Sequence, residues 1–503
     1  MREFRRLGNL DWKQQFRSKY KLRDLETRLI TAQLNEGILT DIEYQKLRYI
    51  ISFARTTIIE DDNGNIFDVN EWLTSHRDWI VEQIKPLMTT GFFVKNIPWK
   101  QLQERINLLQ NETLRVRSSL LYHFRLKRNI LEEEVCTRQL GVVMGGGGGC
   151  GYGYVGALQL LHRYNIQPKI MSGTSMGALI GMFRARTKQF DMLSMMETGR
   201  RLSWNKIFRV LEIESRYGVP ATLRLYLRSA LGSMVKSTLT GHEEEMMTFR
   251  TTAIPLLITV TGLKMEAFKH DMSYYEHLMD DALTEDSSRL TNRNFFQKLK
   301  TLGPLIQDFI LHPEALQEIV FGEDEITMNA DVIDAAGFSS AIPGLIHYDI
   351  LRDEPRMHRL LDELYAEYGI TRLGEGGLVN NVPAEPIYRS IMNGRITRRN
   401  PVILSLDCFS PQISSLGWYP IQKWVEFNVK KNLPYTDHYF ELQRRLPAVQ
   451  VVPSQRQLQS AIQWTVDELE SDMPMIQELC SSHDVLDHQG LIPLSTFQKE
   501  KQK

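Results

Sequence analysis

Five consecutive glycines, Gly145 to Gly149, constrain this 503-residue chain more than any other feature. Glycine loses more conformational freedom on folding than any other residue, so such a run is costly to order. It suits a place where the backbone approaches a ligand closely and turns several N–H groups into one space. The apolar run Leu140 to Met144 precedes it and reads as a buried strand. A helical pattern follows from about Tyr154 to Tyr164. In that order, a helix N-terminus faces the loop and favours negative charge there.

Three kinds of site use such a loop. A P-loop ends in Gly-Lys-Ser/Thr, and no lysine lies between Gly145 and Gly156. A dinucleotide fold needs G-x-G-x-x-G and an acid about 20 residues on. Gly146, Gly148, Gly151 and Gly151, Gly153, Gly156 both fit the spacing, but no Asp or Glu lies between Arg138 and Phe190. The third use is an oxyanion hole, in which N–H groups stabilise the charge that develops during acyl transfer. Its donors here would be Gly146, Gly147, Gly148 and Gly149.

A second turn fits the third use. Gly173-Thr174-Ser175-Met176-Gly177 is a G-x-S-x-G set inside PKIMSGTSMGALIGMFRA, which reads as strand, tight turn and helix. Small residues at 173 and 177 let such a turn bend sharply and expose the serine hydroxyl. The alternative is a serine that only caps the helix. Ser175 lies 27 residues after Gly148, so two strand–helix units would bring both turns to one edge of a parallel sheet. Further strands are expected at 255–263 and 401–409. A serine nucleophile needs a base. In an α/β-hydrolase that base is a histidine and the oxyanion loop is HGGG-like. Here Met144 precedes the glycines, and His270, His347, His438, His483 and His488 sit in no distinctive motif.

These residues together resemble the patatin-like acyl hydrolase family, over about 138–410. GGGGGCGYGYVGAL is similar to its oxyanion loop, with Gly151 in the motif, and GTSMGA to its nucleophile turn. DAAGFSSAIPG (334–344) is similar to a segment packed beneath the site. GEGGLVNNVPAEP (374–386), with Gly376 and Gly377, stands where the family has Asp-Gly-Gly or Asp-Gly-Ala. The resemblance implies a three-layer α/β/α core around a mostly parallel sheet. It also implies a serine–acid dyad that hydrolyses phospholipid or neutral acylglycerol esters through an acyl-enzyme, with Ser175 as nucleophile. Two positions depart from the pattern. Glu375 replaces the aspartate, one methylene longer, as the general base. Cys150 replaces a loop cation, and a thiol near a helix N-terminus can have its pKa lowered, although cysteine is more often a small buried residue. The competing reading keeps the fold and makes the protein a lipid- or partner-binding one with weak or absent hydrolysis.

The rest of the chain names less chemistry. Residues 1–136 have the helical period, with Gly37 ending one helix and Asp41 capping the next. Residues 137–412 would be the catalytic domain, carrying helical insertions at about 187–250, 267–327 and 351–370. Residues 413–503 read as a helical extension and tail. Lys and Arg number 60 against 61 Asp and Glu, so no overall basic field suggests nucleic-acid binding. Cys136, Cys150, Cys408 and Cys480 form no CxxC pair, which points to a reducing compartment and away from a zinc ribbon. No metal or other cofactor is expected. The N-terminus lacks an apolar signal core, and no 18 apolar residues run unbroken, so a cytoplasmic protein touching membranes only peripherally is expected. The expected partner is a lipid at a membrane or droplet surface; the sequence names no protein partner. Arg115–Arg128 and Ala221–Lys236, the latter with Arg224 and Arg228, could be basic amphipathic surfaces. Equally, their leucines could face the core.

Overall fold

The computed structural model describes residues 12–88, 97–201, 203–210, 216–238, 245–264, 313–351, 353–410 and 419–500. The chain divides into two compact units. One is helical and discontinuous: Arg2–Leu140, Tyr388–Val402 and Ser471–Lys503. Its helices include Trp12–Glu36, Asp41–Arg55, Thr74–Met88, Trp99–Phe124, Arg128–Cys136 and Met473–Cys480. A hairpin of β1 (Ile58–Glu60) and β2 (Ile66–Asp68) accompanies them. Gly37 turns the chain out of the first helix at φ 61. The next helix is capped one residue earlier than expected. Thr40 accepts from the Glu43 N–H at 3.3 Å, and Glu43 Oε2 accepts from the Thr40 N–H at 2.9 Å, a reciprocal box that Asp41 does not form.

Charge in this unit points inward. The buried Glu26 carboxylate binds Arg48, Arg55 and Arg138. The stretch Arg115–Arg128 is not one basic face. Its helix stops at Phe124, and Arg125 reverses the chain at φ 49. Arg117 is buried, donating to the Tyr49 hydroxyl at 3.0 Å and to Glu132 at 2.9 Å.

The other unit, Gly141–Ile387 with Ile403–Glu470, is built on a seven-stranded sheet. Its strands are β3 (Gln139–Met144), β4 (Ile170–Gly173), β7 (Leu256–Leu263), β8 (Leu316–Phe321), β10 (Arg372–Gly374), β11 (Pro401–Asp407) and β12 (His438–Glu441). Between them in sequence, β5 (Phe208–Val210), β6 (Ala221–Leu225) and β9 (Gly344–His347) make a small separate sheet. The pairs β3–β4, β4–β7 and β11–β12 are parallel, whereas β8 and β10 run antiparallel to β7. Strands β3, β4, β7 and β11 are buried along their whole length, as continuous apolar runs in a covered parallel sheet should be. The expected α/β core with a mostly parallel sheet is therefore present.

The insertions differ from an all-helical reading. Residues 187–250 hold the helix Met192–Arg201 but also β5 and β6. Of 267–327, residues 267–312 lie outside the described residues, and β8 occupies 316–321. The third insertion does form a helix, Pro355–Tyr368. The segment after 412 supplies β12 as well as helices, because His438–Glu441 completes the sheet edge beside β11. Ala221–Lys236 is not one amphipathic helix. It is strand β6 followed by the short helix Leu227–Leu231. Arg228 turns inward to Asp331, Asp334 and Glu354, while Arg224 lies over the Tyr226 ring.

Candidate active site

Register brings the two reversals together. Met144, the last residue of β3, pairs with Gly173, the last of β4. The glycine loop and the serine turn therefore leave the sheet at the same edge. The turn is held on both sides: Thr174 donates its N–H to Met144 O at 3.1 Å, and its hydroxyl to Asn380 O at 3.0 Å. Gly177 lies so close to the Met144 carbonyl, and Gly173 to Gly177 itself, that neither position has room for a methyl group. Ser175 sits between them at φ 51 and ψ −119, a conformation that non-glycine residues rarely adopt. The helix Met176–Ala185 starts directly after it. The Ser175 N–H donates to Ser339 Oγ at 2.8 Å, and the Ser339 hydroxyl donates in turn to Thr259 O at 2.6 Å. Ser339 is a site residue that the sequence reading did not single out, although it belongs to the quoted 334–344 segment.

The donors of the glycine loop are divided. The Gly146 N–H is shared between the backbone oxygen of Asn381 at 3.3 Å and its side-chain Oδ1 at 3.2 Å. The Gly149 N–H donates to Ala448 O at 2.8 Å. Gly147 and Gly148 make no backbone hydrogen bond of this kind, and both line the cavity with Ser175. Of the four residues expected as donors, Gly146 and Gly149 thus have their N–H groups engaged by protein oxygens. A methyl group on Gly146 would lie 3.1 Å from Ser175 Cβ, 3.5 Å from Glu375 Oε1 and 2.7 Å from Asn381 Oδ1. Those three groups surround one small space.

Glu375 follows β10. Its backbone N–H donates to Ala341 O at 2.8 Å, and its carbonyl accepts from the Thr261 hydroxyl at 2.6 Å. Gly376 packs against the Thr259 carbonyl with no space for a side chain. Oε1 accepts the Gly377 N–H at 3.3 Å, while Oε2 is buried without a hydrogen-bond partner. Burial pushes the Glu375 carboxyl up to about 8; the hydrogen bond from the Gly377 N–H and the nearby Ser175 hydroxyl act the other way and only partly offset it.

Ser175, Glu375 and Asn381 open into a cavity of about 220 Å³ whose remaining wall is overwhelmingly apolar. Leu179, Phe183, Met196, Phe208, Leu223 and Leu345 are among its lining residues. Ser175 is 8% exposed, so its hydroxyl is reached through this cavity. No histidine among the described residues lines the cavity, and His270 lies outside them. His347, buried beside Val219 O, is occupied there at 2.8 Å. Cys150 is buried, donates to Leu446 O at 3.0 Å and has its thiol pushed up to about 11 by desolvation, the reverse of an activated thiol. Among the described residues no group of three potential ligands gathers for a metal, and no helix is long and apolar enough to cross a membrane.

Comparisons with known proteins point to one family. A family model described as patatin-like phospholipase matches residues 142–388. Lysophospholipase nte1 of Aspergillus fumigatus is 35% identical over 94 residues, 17% of this chain and 6% of that protein. The same figures hold for lysophospholipase nte1 of Emericella nidulans. Lysophospholipase NTE1 of Chaetomium globosum is 34% identical over 98 residues, 18% of this chain and 6% of that protein. The matched stretch therefore spans about 6% of the length of these relatives.

Proposed function

We propose, from the patatin-like phospholipase domain that this chain carries at residues 142–388, that it hydrolyses acyl esters of lipids with Ser175 as nucleophile and Glu375 as general base. The observation that carries the reading is a serine in a strained strand-to-helix turn, beside a buried carboxylate, at the polar end of an apolar cavity. The cavity suits an acyl chain, and the polar end holds the ester carbonyl.

The ionised Glu375 accepts the Ser175 hydroxyl proton as Oγ bonds to the carbonyl carbon. The N–H groups of Gly147 and Gly148 face the oxygen that becomes negative. The carbon–oxygen bond to the alcohol then breaks, and that alcohol leaves with the proton from Glu375. Water enters, gives a proton to Glu375 and attacks the acyl-enzyme. The Oγ–carbon bond breaks, Ser175 regains its proton and the fatty acid departs. The relatives' name, lysophospholipase, makes a one-chain phospholipid the first substrate to test, with an acylglycerol beside it. The protein would meet either at a membrane or droplet surface.

A second reading is favoured by the Glu375 carboxyl, which burial keeps largely protonated near neutrality. In that state the dyad has no ready base, and the cavity binds lipid without turnover. Fluorophosphonate labelling and ester turnover across pH 6 to about 9 separate the two. Labelling at Ser175 that is lost in Ser175→Ala supports hydrolysis. An unlabelled wild-type protein that retains fatty acid supports binding alone.

A further inference from the structure

The glycine loop is gripped by one short segment, Leu446–Val451. Three of its carbonyls face the loop. Leu446 O accepts from the Cys150 thiol at 3.0 Å, Ala448 O from the Gly149 N–H at 2.8 Å, and Val451 O from the Tyr152 hydroxyl at 2.7 Å. A bond from the Gln450 N–H to Pro447 O at 2.9 Å closes the segment into a turn. The approach is close enough to demand glycine. Gly148, at φ 56, has the Ala448 carbonyl where a side chain would stand, and a methyl group on Gly149 would lie 2.5 Å from Pro447 O. The segment lies beyond the stretch matched by the family model.

We infer that Leu446–Val451 is a strap that sets the oxyanion donors, with Cys150 and Tyr152 as positioning residues. This rests on the hydrolase reading above. The strap consumes the donor at Gly149 and the side chains at 150 and 152. Gly147 and Gly148, just ahead of these anchors, line the cavity, and neither N–H is paired with a carbonyl of the strap. Ala448, Val449 and Val451 line that cavity too, so a bound chain presses on the element that holds the donors. This gives Cys150 a purpose that neither nucleophilic nor redox chemistry supplies. Its thiol is a buried donor tying the loop down.

The test uses the full chain and compares Cys150→Ala, Cys150→Ser and Tyr152→Phe with wild type. One readout is the kcat and KM for a soluble ester. The other is hydrogen–deuterium exchange of the peptide spanning Gly145–Tyr152, which needs no activity. Removing the thiol anchor should lower kcat about 10-fold or more with KM within about twofold, since small misplacements at a reacting centre are costly. Cys150→Ser, which keeps a donor, should recover most of the rate. Exchange should quicken in Cys150→Ala and Tyr152→Phe and not in Cys150→Ser. Unchanged exchange in Cys150→Ala overturns the inference, as does equal behaviour of the alanine and serine variants. Should wild type show neither turnover nor labelling at Ser175, the hydrolase reading fails, while the exchange comparison still judges the strap.

Discussion

The backbone amide of Ser175 is bound to the hydroxyl of Ser339 at 2.8 Å, and Ser339 is bound in turn to the carbonyl of Thr259 on the neighbouring strand. The strained turn is thereby tied through one side chain to β7. Ser339→Ala leaves a buried N–H and a buried C=O without that partner, a loss worth about 1–3 kcal/mol. Chemical denaturation should register that loss, and ester turnover should fall more steeply than lipid binding. A variant as active as wild type would separate Ser339 from the nucleophile.

Ser175 itself allows a two-way test. Alanine and glycine both remove the hydroxyl, so both should abolish fluorophosphonate labelling. Only glycine tolerates φ 51 with ψ −119 without strain. Ser175→Gly should therefore be the more stable of the two by about 1–2 kcal/mol. Equal denaturation midpoints would mean that the turn stores no strain at this residue.

As the proposed base, Glu375 should set the pH dependence. Its carboxyl is pushed up from 4.5 to about 8 by burial, so the basic form accumulates as pH rises. The kcat/KM of the free enzyme should climb through an apparent pKa near 8 and level above it. The stability effect has the opposite sense. The folded state holds a proton that the unfolded chain gives up near 4.5, so stability from this group is full below 4.5 and is lost as pH rises through 8. Glu375→Gln removes the charge that burial opposes. It should abolish turnover and raise Tm relative to wild type at pH 9 more than at pH 4. A flat activity profile from pH 6 to about 9 would remove Glu375 as the base.

Arg228 separates a buried guanidinium from a surface one. It binds Asp331 at 2.7 Å, Glu354 at 2.7 Å and also Asp334. Arg228→Ala leaves the buried Asp334 with only the Tyr348 hydroxyl, while Asp331 keeps Arg356, and should cost about 3–5 kcal/mol in urea denaturation. Arg224→Ala, which removes a ring contact, should stay within about 1 kcal/mol of wild type. Comparable losses would contradict the burial assigned here.

Much of the architecture could be read from residue order. Leu140–Met144, the glycines after it and the G-x-S-x-G turn each have local signatures, and parallel pairing carries them to one edge. What escaped depends on distant partners or on a period too brief to notice. The Gly146 N–H is satisfied by Asn381, 235 residues away, so no local pattern shows that it is engaged. Leu223-Arg224-Leu225 alternates with period two, the signature of a strand, but three residues are easily absorbed into a helical reading of the longer stretch. β12 is four residues with no continuous apolar run, because it lies at the sheet edge. The inward turn of Arg117 and Arg228 is invisible locally, since arginine is usually solvated and only tertiary carboxylates reverse that preference.

The helical unit has a temporal consequence. Arg48 meets Glu478 at 2.6 Å, and Arg117 donates to the carbonyl of Leu486. During synthesis those partners emerge hundreds of residues after the arginines. The α/β unit, whose last described helix ends at Leu469, is fully synthesised before the residues that complete the helical unit are added. Residues 12–136 are thus made well before the partners that complete their unit, and they mature only after the segment from Ser471 onward has been added.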